Sequence, residues 1–334
     1  MRIAGFLRKG VLKTTVGGIL NNINIRSRRD TLFFEEIGAG YVEQCEKAGY
    51  AREMEAIGEK WMALYFKYLL PAGFRSMPPK FFLNVIVKKI WVSVGMMAYF
   101  HMSENDGLFE INTVNEGLTR CVGRNSLMTG FYKGILSSLF GTGFRTADVS
   151  QSRERCRYLF ERTGEPFAVV GKSKPVYDRL NRIEGEGFTL NDALRSRLLE
   201  MKGNMICFRG KSIFPIENTL FHLIGAKGIM MERITAISSA FFKDIIDMES
   251  PEVKKALLLK TLLQVMGWGM TSMAFRGDNV YVSIRHPAYG MQLEKDNWDF
   301  LAHTILGYLR LHNEKFDIVK TEEGRMKLKI VYAR

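Results

Sequence analysis

The chain has 334 residues, 46% of them apolar and 12% aromatic, with a formal net charge of +13. Its 23 phenylalanines and 18 methionines supply ample volume for a core, which excludes disorder as the overall state. The length favours about two domains, and four scattered cysteines (Cys45, Cys121, Cys156 and Cys207) suit a reducing cytoplasm better than a disulfide scaffold.

The first segment, 1–29, is a basic leader. Arg2, Arg8, Lys9, Lys13, Arg26, Arg28 and Arg29 all precede Asp30, and no acid lies among them. Ile3, Phe6, Leu7 and Leu12 are spaced between the charges. One expectation is therefore an amphipathic contact of Arg2, Arg8, Lys9 and Lys13 with an anionic surface; a basic tail or a first strand is the alternative. Lys13 and Gly17-Gly18 break any signal-peptide core. No apolar run reaches the roughly 18 residues of a spanning helix, because Lys88 and Lys89 interrupt the best one, 81–100. The expected location is cytoplasmic, at most peripheral to a membrane.

After the leader, 31–48 and 51–70 read as helices, the second with Ile57, Trp61, Leu64, Tyr65, Tyr68 and Leu69 at helical spacing. Prolines break the pattern around 71–82. Two strands follow, near 91–101 and 107–113, joined by Ser-Glu-Asn-Asp-Gly, whose last residues suit a tight turn. A helix at 125–140 and a hairpin at 143–161 complete the unit. The polar stretch 164–215 predicts a linker with short helices, one capped by Thr189 or Asn191, and a strand near 205–215. Helices then follow at 217–247 and 252–266, the second opened by Ser250-Pro251-Glu252. Strands are predicted at 268–276 and 279–285, a helix at 296–312 and a last hairpin at 315–333. There Phe316, Ile318, Leu328, Ile330 and Tyr332 alternate with charged residues, giving one buried and one wet face.

This order of elements occurs twice. Phe34-Glu-Glu-Ile37-Gly38-Ala39 returns as Phe221-His-Leu-Ile224-Gly225-Ala226, and Gly95-Met96 as Gly269-Met270. Leu108 to Ile111 faces Tyr281 to Ile284, Gly134 and Leu136 face Gly307 and Leu309, and Phe144 faces Phe316. The larger initial offset places an insertion in the first copy near 71–82. The fold class is thus α/β of the α+β kind, as two copies of a helix-helix-hairpin-helix-hairpin unit. Each copy is expected to form a four-stranded antiparallel sheet packed by helices. The expected divisions are 1–29, 30–162, 163–203 and 204–334.

A unit that opens with an Ile-Gly-Ala helix and closes with a Gly-bearing helix and hairpin resembles the four-vinyl reductase-type small-molecule-binding domain, related in fold to TRAPP vesicle-tethering subunits. The resemblance covers about 20–161 and 204–333. It implies a hydrophobic-ligand pocket between helices and sheet, or a helix-mediated dimer surface, with the two copies as an internal pseudo-dimer. That family often ends in E-x-x-C-x-x-x-G-D-x-x-C, whose cysteines can join a metal site. Here Asp148 and Ser152 stand where the first Cys and the Gly would fall, and Cys156 matches the second Cys; the other copy has Lys320, Gly324 and Leu328. The thiol pair is absent, so no metal site is expected, and Asp148 and Cys156 are its only weak candidates.

Other motifs carry little chemistry. Gly171-Lys172-Ser173 and Gly210-Lys211-Ser212 lack the upstream spacing of a phosphate loop, their nearest upstream glycines being Gly164 and Gly203. His101, His222, His286, His303 and His312 show no ligand spacing, and no Gly-x-Ser-x-Gly elbow occurs. Catalysis and cofactors are therefore not expected, and the interspersed acids beyond Asp30 disfavour nucleic acid. The bias that remains is methionine and aromatic density. It suggests Trp91, Met97, Phe100, Phe131, Trp268, Met270 and Trp298 as the lining of a hydrophobic pocket, against the plainer reading that they fill a core. The expected function is non-enzymatic binding of a lipid- or hydrocarbon-like molecule. A TRAPP-like protein-protein, homodimeric or membrane-tethering module is the alternative, and a tetrapyrrole-related reductase a further one.

Overall fold

Strands β1 (Leu12–Thr15), β2 (Gly18–Asn21) and β3 (Arg28–Phe34) form a meander in the first half of the chain. Strands β8 (Glu200–Lys202), β9 (Met205–Phe208) and β10 (Lys211–Glu217) form another in the second. The two join into one six-stranded sheet, ordered β1-β2-β3-β10-β9-β8. This computed structural model describes residues 12–21, 28–68, 73, 77–169, 171, 187–290, 293–324 and 326–334. At the junction β3 pairs antiparallel with β10, Phe33 opposite Phe214 and Asp30 opposite Glu217. Pro215 is tolerated in β10 because it lies beyond the last residue paired to β9, so its missing N–H breaks no bond of that ladder.

Each half then builds a four-stranded sheet with helices over it. In the first half α1 (Glu35–Lys47) and α2 (Ala51–Tyr68) are followed by α3, which runs from Pro79–Phe81 through the π-helical stretch Phe82–Val87 to Lys88–Ser93. Next come β4 (Tyr99–Asn105), β5 (Leu108–Val114), α4 (Thr119–Val122), α5 (Ser126–Phe140), β6 (Thr142–Gln151) and β7 (Arg155–Pro166), with sheet order β4-β5-β7-β6. The second half adds α6 (Leu190–Arg195), α7 (Thr219–Lys227), α8 (Met231–Ile245) and α9 (Glu252–Val265). It closes with β11 (Met270–Arg276), β12 (Asn279–Arg285), α10 (Asp299–Leu309), β13 (Asp317–Gly324) and β14 (Lys327–Ala333), in the order β11-β12-β14-β13. Both sheets therefore run first, second, fourth, third. The architecture is mixed α/β with three antiparallel sheets.

The sequence expectation differs from this in several regions. The helix expected over 217–247 is two, α7 and α8, because Gly228 in the left-handed region (φ +64°) ends the first. Trp91 was placed at the start of a strand, but 91–93 end α3, and β4 begins at Tyr99. Pro79 does not break a helix here; it opens one, where its absent N–H costs nothing. The β-branched run Val85-Ile86-Val87 mimics a strand in composition. It stays helical because Phe82, Leu83 and Val87 bury one face. Thr189 caps α6 as expected, through a reciprocal box with Asp192. In the leader segment, 12–21 form β1 and β2, and their turn is buried: Gly17 lies directly against the Gly269-Met270 backbone.

One hydrophobic core runs through both halves. Helices α2 and α5 cross so closely that a Cβ on Gly58, Gly130 or Gly134 would run into the backbone of the other helix. Gly307 plays the same part where α10 meets α8, at Thr235 and Ser238. In an open helix Gly→Ala stabilises by roughly 0.5–1 kcal/mol. Here Gly134→Ala is expected to reverse that sign and cost about 2–3 kcal/mol, as overpacking does. Urea unfolding of the variant against the parent chain checks this.

Candidate functional site

The loop between β5 and α4 holds two residues in the left-handed region, Asn115 at φ +50° and Leu118 at φ +65°. Such backbone strain persists only where neighbours over-determine it. The Asn115 N–H donates to the Glu154 carbonyl (2.8 Å), the Gly117 N–H to Met96 (2.6 Å) and the Leu118 N–H to the Glu35 carboxylate (2.8 Å). So constrained, the loop places Glu116 in the interior, fully buried.

Four hydroxyls from four elements converge on that carboxylate. Tyr132 (α5) and Thr113 (β5) donate to Oε1 at 2.5 and 3.0 Å, while Tyr158 (β7) and Thr119 (α4) donate to Oε2, both at 2.6 Å. The four donors fill the acceptor sites of a carboxylate. Gln151 extends the network, its amide donating to the Tyr158 oxygen and to the Asn125 carbonyl, each at 2.9 Å. Burial pushes the Glu116 carboxyl above the usual range, against the pull of the four hydroxyls. Burial and the nearby Glu116 charge hold Tyr132 and Tyr158 well above a normal phenol. They also push the Cys156 thiol up to about 11, leaving it protonated and a poor nucleophile at neutral pH.

A second buried carboxylate, Glu35, ties this loop to the central sheet. It accepts from Arg120 (2.6 Å), from the Leu118 N–H and from Ser212 of β10 (2.7 Å). Arg120 also donates to the Gly95 and Asn115 carbonyls. Beside the loop, a cleft of about 520 Å³ opens on the first four-stranded sheet, lined by Tyr99, Asn112, Thr113, Val114, Ser150, Arg155, Cys156 and Arg157. By strand alternation Asn112, Val114, Arg155 and Arg157 face solvent, whereas Thr113 and Cys156 belong to the inner face that carries the Glu116 network. Arg157 is shared between Glu110 and Asp148, each at 3.2 Å. The Arg155 guanidinium has no acidic partner among the described residues. The Lys88 ammonium sits 4.6 Å from the centre of the Tyr99 ring. The arrangement suits holding an anion beside an aromatic and an aliphatic surface. It offers no activated nucleophile.

The seven residues expected to line a pocket fall in four places, none of them in this cleft. Trp91 packs on Phe100 (5.3 Å between ring centres) and Phe131 (5.2 Å), and Met97 is buried in the same core. Trp268 packs on Phe33 and Phe221. Trp298 stands edge-on to His222 and Tyr289, donating its N–H to Glu323. Met270 is half-buried beside Gly17. Of the weak metal candidates, Asp148 pairs with Arg157, and Cys156 lines the cleft, its thiol donating to the Ser152 carbonyl. The described residues contain no group of three or more His, Cys, Asp or Glu placed to hold a metal ion.

Of Gly210-Lys211-Ser212, Gly210 lies in the β9–β10 turn while Lys211 and Ser212 open β10, Lys211 paired to Glu36 and Asp244 and Ser212 bonded to Glu35. Lys172 and Ser173 lie outside the described residues, as do Arg2, Arg8 and Lys9; Lys13 belongs to β1. No helix among the described residues is long and apolar enough to cross a membrane. No family model matches the chain, and no match was found among curated proteins.

Glu116 gives a direct test. Glu116→Ala leaves four buried hydroxyls without their acceptor and is expected to cost about 3 kcal/mol or more, with Glu116→Gln recovering most of it. Because the native carboxyl is pushed up, the folded state holds a proton that the unfolded chain releases. Wild-type stability relative to Glu116→Gln should then be greatest below the ordinary glutamate value and fall as pH rises through the window up to the elevated native value. Urea titrations of both chains across that window check the sign.

Proposed function

We propose that the chain is a tandem pair of related α/β units fused into an internal pseudo-dimer, acting as a non-enzymatic binding module for a small amphiphile that carries an anionic group. The shared strand order of the two four-stranded sheets supports the duplication. So does the equal build of the β4–β5 and β11–β12 hairpins, each two seven-residue strands across a two-residue turn. Laying one hairpin on the other puts Thr113 over Ile284, and the strands that pair with them put Cys156 over Leu328 and Tyr158 over Ile330. This register differs by two residues from the match of Leu108 to Ile111 with Tyr281 to Ile284. A slip of two keeps every side chain on its face, so alternation alone is blind to it. On this alignment the second unit has isoleucine and leucine where the first has its hydroxyl network, and binding belongs to the first unit.

The observation that carries the binding reading is the Arg155 guanidinium, without an acidic partner among the described residues, beside Tyr99 and Val114 in an open cleft. Arginine recognises a carboxylate through two parallel bonds. Asn112 and Ser150 add hydrogen-bonding groups, and Tyr99 and Val114 offer apolar surface for a short chain or ring. Calorimetric titration with laurate is expected to show binding that Arg155→Glu weakens at least tenfold, and dodecanol should bind more weakly than laurate. Undetectable laurate binding, or equal affinity in the variant, would sink the proposal. The ring-on-ring packing of Trp91, Phe100 and Phe131 favours a second reading, an assembly module whose family-type pocket is filled by its own side chains.

A further inference from the structure

From Lys60 to Ser103 the chain has no acidic residue and six cations: Lys60, Lys67, Arg75, Lys80, Lys88 and Lys89. The helix α3 lies within this stretch, and its orientation is fixed from the inside. Phe82, Leu83 and Val87 are buried, Phe82 against Phe66. The Asn84 amide donates to the Met102 carbonyl and accepts from the Met102 N–H, both at 2.8 Å, clamping the helix to the edge of β4. The outward ridge is consequently Phe81, Val85 and Lys89, four residues apart, with Lys80 and Lys88 beside it. Phe81 and Val85 are 52% and 49% exposed, and the neighbouring Tyr99 is 41% exposed under the Lys88 ammonium.

From this geometry we infer that the outer face of α3 docks on an anionic lipid bilayer, Phe81 and Val85 entering the interface while Lys80, Lys88 and Lys89 meet the headgroups. Apolar side chains flanked by cations and an interfacial tyrosine have the composition of a surface-lying membrane helix. A second copy of the same face is a poor occupant, since an isologous pairing would bring lysines against lysines without an acid to neutralise them. The contrast with α9 is informative. It also exposes an apolar pair, Val253 and Leu257. Its surroundings mix Glu249 and Glu252 with Lys254 and Lys260, so this pair lacks the acid-free cationic frame of α3.

Co-sedimentation of the full chain with vesicles of phosphatidylcholine and phosphatidylglycerol, two to one, tests the inference. The chain should pellet with these vesicles and not with pure phosphatidylcholine. Phe81→Glu/Val85→Glu should lower partitioning at least tenfold, and Lys88→Glu or Lys89→Glu about fivefold each. Val253→Glu/Leu257→Glu should leave it unchanged. Circular dichroism and the melting temperature establish that each variant is folded. Full binding by a folded Phe81→Glu/Val85→Glu chain would overturn the inference and move the contact elsewhere, residues 1–29 being the next candidate. Equal binding to neutral vesicles would overturn it, as would a chain that ignores vesicles but whose dimer, seen by light scattering, is lost in the double variant. Because the cleft is read with soluble laurate and this face with vesicles, failure of one reading leaves the other standing.

Discussion

The antiparallel pairing of β3 with β10 is the constraint on which the rest of the structure depends. Among the described residues it is the one place where a strand of the first half bonds, residue for residue, to a strand of the second. Adjacent residues of β3 then point to opposite faces, and both faces are covered by the other half. Phe33 packs among Phe221, Trp268 and Phe300, and Phe34 among Phe208, Phe241 and Phe242. The exchange is mutual, because Trp61 of α2 donates its indole N–H to Glu217 at the end of β10. Neither half has a complete core without the other.

The seam is linked to the cleft by polar contacts rather than by packing alone. Ser212 of β10 bonds Glu35, Glu35 holds the Leu118 amide and Arg120, and the loop so fixed presents Glu116 to Tyr132 and Tyr158. Tyr158 lies two residues from Cys156 on the strand that also carries Arg155 and Arg157. Charge-assisted bonds, joined by short stretches of backbone, thus lead from the central sheet to the floor of the cleft. Buried networks of this kind are strong only when every member is satisfied. Here the carboxylates meet that condition, which accounts for two left-handed residues being tolerated in one short loop.

Much of the fold was legible from pattern. Alternation marked the last hairpin and the repeat its counterpart at 143–161, while Gly134 and Gly307, legible only as a repeated glycine, prove to be crossing points of helices. The helix α3 was not legible, because its β-branched run and the prolines before it speak for strand and breaker, and tertiary burial decided otherwise. The cleft was largely hidden for a different reason. Tyr99 adjoins Phe100, one of the aromatics expected to line a pocket, but Arg155 is one of several cations in a charged hairpin, and nothing local distinguishes it. Its lack of an acidic partner among the described residues is a property of space: Glu110 and Asp148 are taken by Arg157. Glu116 was equally silent, since its four donors come from four elements brought together only by folding.

The N–H and C=O groups that join β3 to β10 belong to residues far apart in the chain; Thr31 and Ile216, joined by a hydroxyl bond, are 185 positions apart. Closing so long a loop carries an entropic cost that must be met before the contacts it brings can reward it. On a ribosome, β3 emerges long before β10 exists, so the edge of β3 and the rings of Phe33 and Phe34 must wait for partners made much later. The nascent first half is thus an intermediate with an open strand edge and unburied aromatics, the kind of species that chaperones attend.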